Sequence, residues 1–172
     1  MASASISALT QEKILRARGA SAKVALLSTA DKNSLLLAIA DSLEASQKAI
    51  LDANTADIEN SGMQGAMRDR LLLTPARIKE MAAGVREVAA LPDPIGEILA
   101  EWTKSNGLHI RKVRVLLGVI GIVYESRPNV TVDTAVVALK AGNAIVLRGG
   151  KEAARTNQVL VEIMTKVAGI PE

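Results

Sequence analysis

The chain has 172 residues, 49% hydrophobic and 23% charged, with a formal net charge of +3; this is the size and composition of one globular domain, or one domain and part of another, and not of a disordered segment. It has no Cys, no Phe, and one each of His, Trp and Tyr, which excludes disulfides, a thiol nucleophile, and thiolate or multi-His metal centres. A Ser–His triad and stacked-base recognition of nucleic acid are equally short of parts, and a pI near 9.3 does not by itself imply a polyanionic partner.

The opening MASASISALTQEK carries no long apolar stretch of the kind a secretory signal needs. Around Ile14, Leu15, Val24 and Leu27 the chain is Ala-rich and helical in character. A second helix is predicted to begin near Ser28-Thr29-Ala30-Asp31, where Ser, Thr or Asp can cap it. In it Leu36, Ile39 and Leu43 recur at i, i+3 and i+7, with Leu35 and Ile39 on a neighbouring stripe, and it should end before Asp52-Ala53-Asn54. Thr74 as N-cap and Pro75 at the first helical position start another helix, which carries Ile78, Met81, Val85 and Val88. Leu91-Pro92-Asp93-Pro94 stops it.

Ile98 to Thr103 and Leu108 to Val113 read as two strands of a hairpin turning at Ser105-Asn106-Gly107. The apolar VRVLLGVIGIVY that follows is expected to be a strand buried on both faces, and is too short and Gly-interrupted to span a bilayer. A helix from about Val130 to Lys140 uses Val132, Val136 and Leu139, and Ala141-Gly142-Asn143 closes it. Ala144 to Leu147 is a second buried strand, and a last helix from about Ala153 to Val167 ends at Gly169. This β-α-β-α order calls for parallel strands with a right-handed crossover. Two parallel strands do not finish a sheet, so the sequence reads as cut short.

In an open α/β sheet, ligands bind beyond the carboxyl ends of the strands. Two loops fall there, Glu125-Ser126-Arg127-Pro128-Asn129 and Arg148-Gly149-Gly150-Lys151. Both lead into helix N-termini, whose free N–H groups favour anions. Residues 111–155 hold eight basic and three acidic side chains, so positive charge gathers where an anionic ligand is expected. Arg148 closes the second strand, the position that faces the adenosine ribose in dinucleotide folds. An acidic residue there suits a free 2′-hydroxyl and a basic one a 2′-phosphate, hence NADP. The alternative is that Arg148 and Lys151 are solvated charges beside a glycine turn.

Gly149-Gly150 either lets backbone approach a phosphate or marks an ordinary turn. Gly118 and Gly121, inside a strand, are expected to permit close packing or a bulge. His109 is expected at the surface, and Trp102 in structural packing. Arg68-Asp69-Arg70 is either a substrate-anion contact or an intrahelical charge pair, the second being favoured.

Taken together, GVIGIVYESRPNVTVDTAVVALKAGNAIVLRGGKEA resembles the core signature of the gamma-glutamyl phosphate reductase family, in the aldehyde dehydrogenase superfamily. ANTADIENS, MRDRLLLTPARI and LPDPIGE look like that family's N-terminal region, so the resemblance covers essentially the whole chain. It implies an α/β, aldehyde dehydrogenase-like fold: residues 1–95 as the helical part of the cofactor domain, 96–114 as a bridging or oligomerising hairpin, and 115–172 as the first β-α-β-α of an incomplete Rossmann-like sheet. It implies NADPH-dependent reduction of L-glutamate 5-phosphate to the semialdehyde, with phosphate release, in proline biosynthesis. A cytoplasmic protein that is a homo-oligomer at full length, with neither nucleic acid, membrane nor metal as partner, is expected.

The family's mechanism uses a Cys thiolate to form a thioester that the nicotinamide reduces. Family members are longer, and their nucleophile lies beyond Glu172, so this chain is expected to be inert alone. The resemblance places Arg148 at the strand end that contacts the adenosine ribose, with Gly149, Gly150, Lys151 and Glu152 in the adjoining turn and Glu125 and Ser126 beside it. The wider superfamily has a Pro-Trp-Asn segment whose Asn holds the oxyanion. Here the text is ESRPN, which puts Arg127 on that Asn without gaps, while Asn129 keeps the chemistry two positions on. Either can serve the oxyanion or the substrate phosphate. Two other identities compete: a non-catalytic nucleotide-binding or dimerising module, and a piece of a bifunctional synthase, against which Met1 and the lack of a kinase part argue.

Overall fold

Capping side chains set most of the helix boundaries. In the computed structural model, which describes residues 7–169, α1 (Ala8–Val24) is followed by α2 (Thr29–Ala45). Ser28 and Asp31 form a reciprocal capping box there, Ser28 Oγ accepting from the Asp31 N–H at 3.1 Å and Asp31 from the Ser28 N–H at 3.2 Å. α5 (Pro75–Ala90) opens on the Thr74 cap, whose Oγ1 accepts from the Arg77 N–H at 3.2 Å.

The stretch between differs from the sequence reading. α2 stops at Ala45, and a separate α3 (Gln47–Ser61) carries Asp52 to Asn54 in its middle. Ser46 (φ −93, ψ 13) makes the joint. A short α4 (Gly65–Leu71), which the apolar pattern does not announce, follows.

The hairpin forms where expected. β1 (Ile98–Thr103) pairs antiparallel with β2 (His109–Val113), and the turn is closed by Gly107 at φ 83. Nearly all its residues are exposed, and Trp102, expected in packing, is 45% exposed. His109 sits at the surface, with Nε2 2.5 Å from Glu101 Oε1.

β3 (Val119–Val123) and β4 (Ala144–Arg148) pair in parallel and are joined by α6 (Pro128–Lys140). β3 is not buried on both faces. Val119, Gly121 and Val123 are exposed and alternate with half-buried Ile120 and Ile122, while Val115 and Leu117 precede the strand fully open at 73% and 83% exposure. Here α1 lies against β3 and β4, and α6 against β4. Gly118 enters β3 at φ +104, a backbone state that favours glycine, and its N–H and that of Leu117 donate to Asn143 Oδ1 at 2.9 and 2.7 Å. Among the described residues a methyl group on Gly121 would meet nothing within 4 Å, and Gly121 pairs in regular register with Val146, so neither the close packing nor the bulge expected of it is found there.

The core is helical. Leu36, Ile39, Leu43, Ile50, Ile78 and Val85 pack with Val132 and Val136 of α6 and with Leu160 and Met164 of α7 (Ala154–Ala168), which follows a 3-10 turn at Lys151–Ala153. Burying such side chains stabilises by about 1.5–3 kcal/mol each. The sheet is thus a rim fixed to a helical body, with the carboxyl ends of both strands at one edge.

Candidate functional site

The two loops at that edge are fastened to each other. The Tyr124 N–H donates to the Arg148 carbonyl at 3.1 Å, continuing the ladder one step past the strands. Ser126 Oγ donates to Glu152 Oε2 at 2.6 Å. That bond, with a further one from the Glu152 N–H, holds the Glu152 carboxyl below its ordinary value. Thr131 Oγ1 donates to Asn157 Oδ1 at 2.8 Å, so the Tyr124 hydroxyl, 2.6 Å away, is the donor to Thr131.

Gly149 and Gly150 permit this approach. A methyl on Gly149 would stand 2.4 Å from Asn157 Nδ2 and 2.9 Å from the Tyr124 ring; one on Gly150 would stand 2.1 Å from Ser126 Oγ. Neither glycine has a positive φ. Their sequence requirement comes from packing against the β3–α6 loop and, at Gly149, against Asn157 of the helix Ala154–Ala168, which neither of the readings open from sequence contained.

Arg148 and Lys151 are exposed at the rim, and neither has a carboxylate within 4 Å among the described residues. The rest of the basic cluster disperses. Lys140 is buried and donates to Asn33 Oδ1 at 2.6 Å and the Ala89 carbonyl at 2.9 Å, and Arg114 pairs with Glu97 at 2.9 Å. The start of α7 is not open to an anion either. Asp57 of α3, 6% exposed, accepts from the Thr156 N–H (2.8 Å), the Thr156 hydroxyl (2.7 Å) and the Arg155 N–H (3.3 Å). Beside it, buried Asn54 donates to the Leu71 carbonyl at 2.9 Å and accepts from the Leu73 N–H at 2.7 Å. Sequence reading missed both residues. The signal was their spacing from Ile50, at i+4 and i+7 on one helical face.

Glu125, Arg127 and Asn129 face a different way. Arg127 and Asn129 line a cleft of about 470 Å³ between their loop and the α4–α5 region, with Arg70, Arg77 and Asp133 among its other walls. Glu125 stands with them: its Oε1 is 2.7 Å from Arg127 Nε, and its Oε2 3.6 Å from Arg70. Asn129 Nδ2 donates to Asp133 Oδ2 at 3.1 Å. The Arg68–Arg70 stretch makes no internal charge pair; Asp69 instead pairs with Arg77 at 2.9 Å. Partial burial raises the Asp133 carboxyl above its ordinary value, against a smaller lowering by the Asn129 amide, although the residue keeps an exposed face. The site therefore has two parts: a basic rim after β4, and a cleft of mixed charge after β3.

The chain matches no protein-family model. Its fold is that of the aldehyde dehydrogenases: an NAD-dependent benzaldehyde dehydrogenase from Corynebacterium glutamicum superposes with a TM-score of 0.72 at 21% identity, over 90% of this chain and 32% of that one. A gamma-glutamyl phosphate reductase from Thermotoga maritima superposes with a TM-score of 0.89 at 41% identity, over 94% of this chain and 40% of that one. Within that fold the chain is homologous to the N-terminal part of gamma-glutamyl phosphate reductase, being 60% identical over 163 residues to the one from Koribacter versatilis. It spans about 40% of the length of that relative.

Proposed function

We propose that the chain supplies part of the cofactor and substrate apparatus of an NADPH-dependent reductase acting on L-glutamate 5-phosphate. The product is L-glutamate 5-semialdehyde, with phosphate released, in cytoplasmic proline biosynthesis by a homo-oligomer. When bound, NADPH supplies the hydride. With no Cys in the chain, the thiolate nucleophile is not among these residues, whose part is to bind and orient.

The observation that carries the reading is Arg148. It ends β4 in register with Val123, exposed and without a carboxylate partner among the described residues, so its guanidinium is available to a dianion. Lys151 lies in the same turn. Ser126 and Glu152, joined and ionised at the carboxylate, offer acceptors to ribose hydroxyls. These residue types fit the adenosine half of NADP(H). Towards the cleft, Asn129 offers an amide to the oxyanion of the reacting acyl group and Arg127 a cation to an anionic end of the substrate.

The test is calorimetric titration of NADP⁺ and NAD⁺ into the chain extended to the length of its relatives. Arg148→Ser is expected to weaken NADP⁺ by about tenfold or more, the worth of a charge-assisted contact, and to leave NAD⁺ nearly unchanged. An unaltered NADP⁺-to-NAD⁺ ratio would overturn the assignment.

A further inference from the structure

The cleft after β3 holds charges that the fold does not use. Arg77 is committed to the α4–α5 junction, donating to the Asp69 and Leu72 carbonyls at 2.6 and 2.8 Å and to the Asp69 carboxylate at 2.9 Å. Arg70, Arg127, Asp133 and the exposed Glu80 remain. The two guanidiniums come from α4 and from the β3–α6 turn, and both stand within 4 Å of the half-exposed carboxylate of Glu125.

That pairing is poor. Arg70 stands 3.6 Å off, beyond hydrogen-bond length. Arg127 Nε is 2.7 Å from Glu125 Oε1, yet its N–H is not aimed at the oxygen. The atom is buried with no acceptor, a state that favours exchange for a better-placed anion. Exposed ion pairs of this kind contribute little, so Glu125 is easily displaced. Asp133 is in the opposite condition: exposed in the cleft, it has no cation within 4 Å among the described residues, only the Asn129 amide.

Two cations ready for an oxyanion and two carboxylates lacking a cation among the described residues, Asp133 and Glu80, around a space of about 470 Å³, match a zwitterion better than a phosphate, which calls for cations alone. Of the two, Asp133 shares the β3–α6 side of the cleft with Arg127 and is held by Asn129. We propose that this cleft is a subsite for the head of an α-amino acid. Arg70 and Arg127 bind the carboxylate in place of Glu125, and Asp133 binds the ammonium. For its ligand, the inference rests on the reductase reading above, since glutamyl phosphate carries such a head. In that setting Arg70 and Asp133 are specificity residues, and Glu125 is an internal stand-in for the substrate carboxylate.

The chain extended to the length of its relatives is titrated with L-glutamate, with glutarate, which lacks the ammonium, and with inorganic phosphate. L-Glutamate is expected to bind about tenfold or more tighter than glutarate, and Arg70→Gln to weaken both by a similar factor. Asp133→Asn should weaken L-glutamate alone and abolish the discrimination, an effect that a merely structural role would not produce. Glu125→Gln should tighten L-glutamate several-fold. Equal binding of L-glutamate and glutarate by the unaltered protein, discrimination surviving in Asp133→Asn, weaker binding in Glu125→Gln, or phosphate bound as tightly as L-glutamate would each overturn the proposal. The two readings fail separately. A protein with this binding pattern that reduces no acyl phosphate loses the reductase assignment alone, whereas one that reduces it with kcat/KM untouched in Arg70→Gln and Asp133→Asn loses the subsite alone.

Discussion

Gly149 and Gly150 are the positions where a single methyl group would be felt first. Gly150 has φ −63 and ψ 148, a backbone state open to alanine, so any penalty at Gly150→Ala is steric. With Ser126 Oγ 2.1 Å and the Ser126 N 3.0 Å from the new carbon, a loss of about 1–3 kcal/mol is expected in chemical denaturation. Asp57 has the opposite character, a polar side chain that the interior needs. Asp57→Ala removes the acceptor for the Arg155 and Thr156 N–H groups and the Thr156 hydroxyl. It should lower the unfolding free energy by about 1–3 kcal/mol in the same measurement. The two residues differ in legibility. The glycine pair stands out in the sequence, but its cause lies in Tyr124 and Ser126, more than twenty positions away, and in Asn157 of α7, which closes on Gly149. Asp57 and Asn54 look like solvent-facing polars, and only the periodicity from Ile50 contradicts that.

At the scale of elements, the joint between α2, α5 and α6 is ionic. Lys32, 4% exposed at its side chain, is 2.6 Å from Asp93, which also accepts from Thr29 Oγ1 at 2.9 Å and the Ile95 N–H at 3.0 Å. Burial alone would raise the Asp93 carboxyl, but the hydrogen bonds from Lys32, Ile95 and Thr29 outweigh it, and the net shift is downward. A carboxyl whose folded value lies below its unfolded value of about 3.9 adds stability that is complete above that pH and is lost as pH falls through the folded value. Urea unfolding as a function of pH should therefore show stability dropping below about pH 4. Asp93→Asn should flatten that dependence and cost about 3 kcal/mol at neutral pH, since it strands a buried ammonium. Elements with strong caps are legible: Ser28 and Thr74 mark α2 and α5 within a residue. α3 and α4 are not. Buried polar residues break the apolar pattern of α3, and α4, with seven residues, is too short to build one. α6 begins at Pro128, two positions earlier than the apolar pattern suggests, because proline at the first helical position sets the start.

For the whole molecule, the order of elements from α5 onward and the parallel pairing of β3 with β4 follow from the alternation of patterns in the sequence. The location of the core does not. The long apolar run reads as a sheet interior, whereas the buried cluster is built by helices and leaves Val115, Leu117 and Val123 in solvent. Hydrophobicity says that a segment favours burial; it does not say which neighbour provides it. An exposed apolar rim with unpaired strand edges promotes association. Sedimentation velocity of the 172-residue chain is expected to show concentration-dependent self-association, and Val123→Lys to reduce it. Of the candidate site, the rim after β4 is legible because its chemistry is local in sequence. The cleft is legible residue by residue, in Arg127, Asn129 and the Arg68–Arg70 stretch, but not as one place, because Arg70 and Glu125 meet only through the packing of α4 against the β3–α6 turn.

Lys32 and Lys140 lie within one sealed junction, Lys32 Nζ donating to the Lys140 carbonyl at 3.4 Å while the Lys140 ammonium reaches Asn33 and Ala89. An acylating reagent in water meets exposed amines such as Lys48 and Lys151 freely. It reaches these two only when α2, α5 and α6 part. The rate at which the hidden pair becomes labelled is thus a clock for that separation.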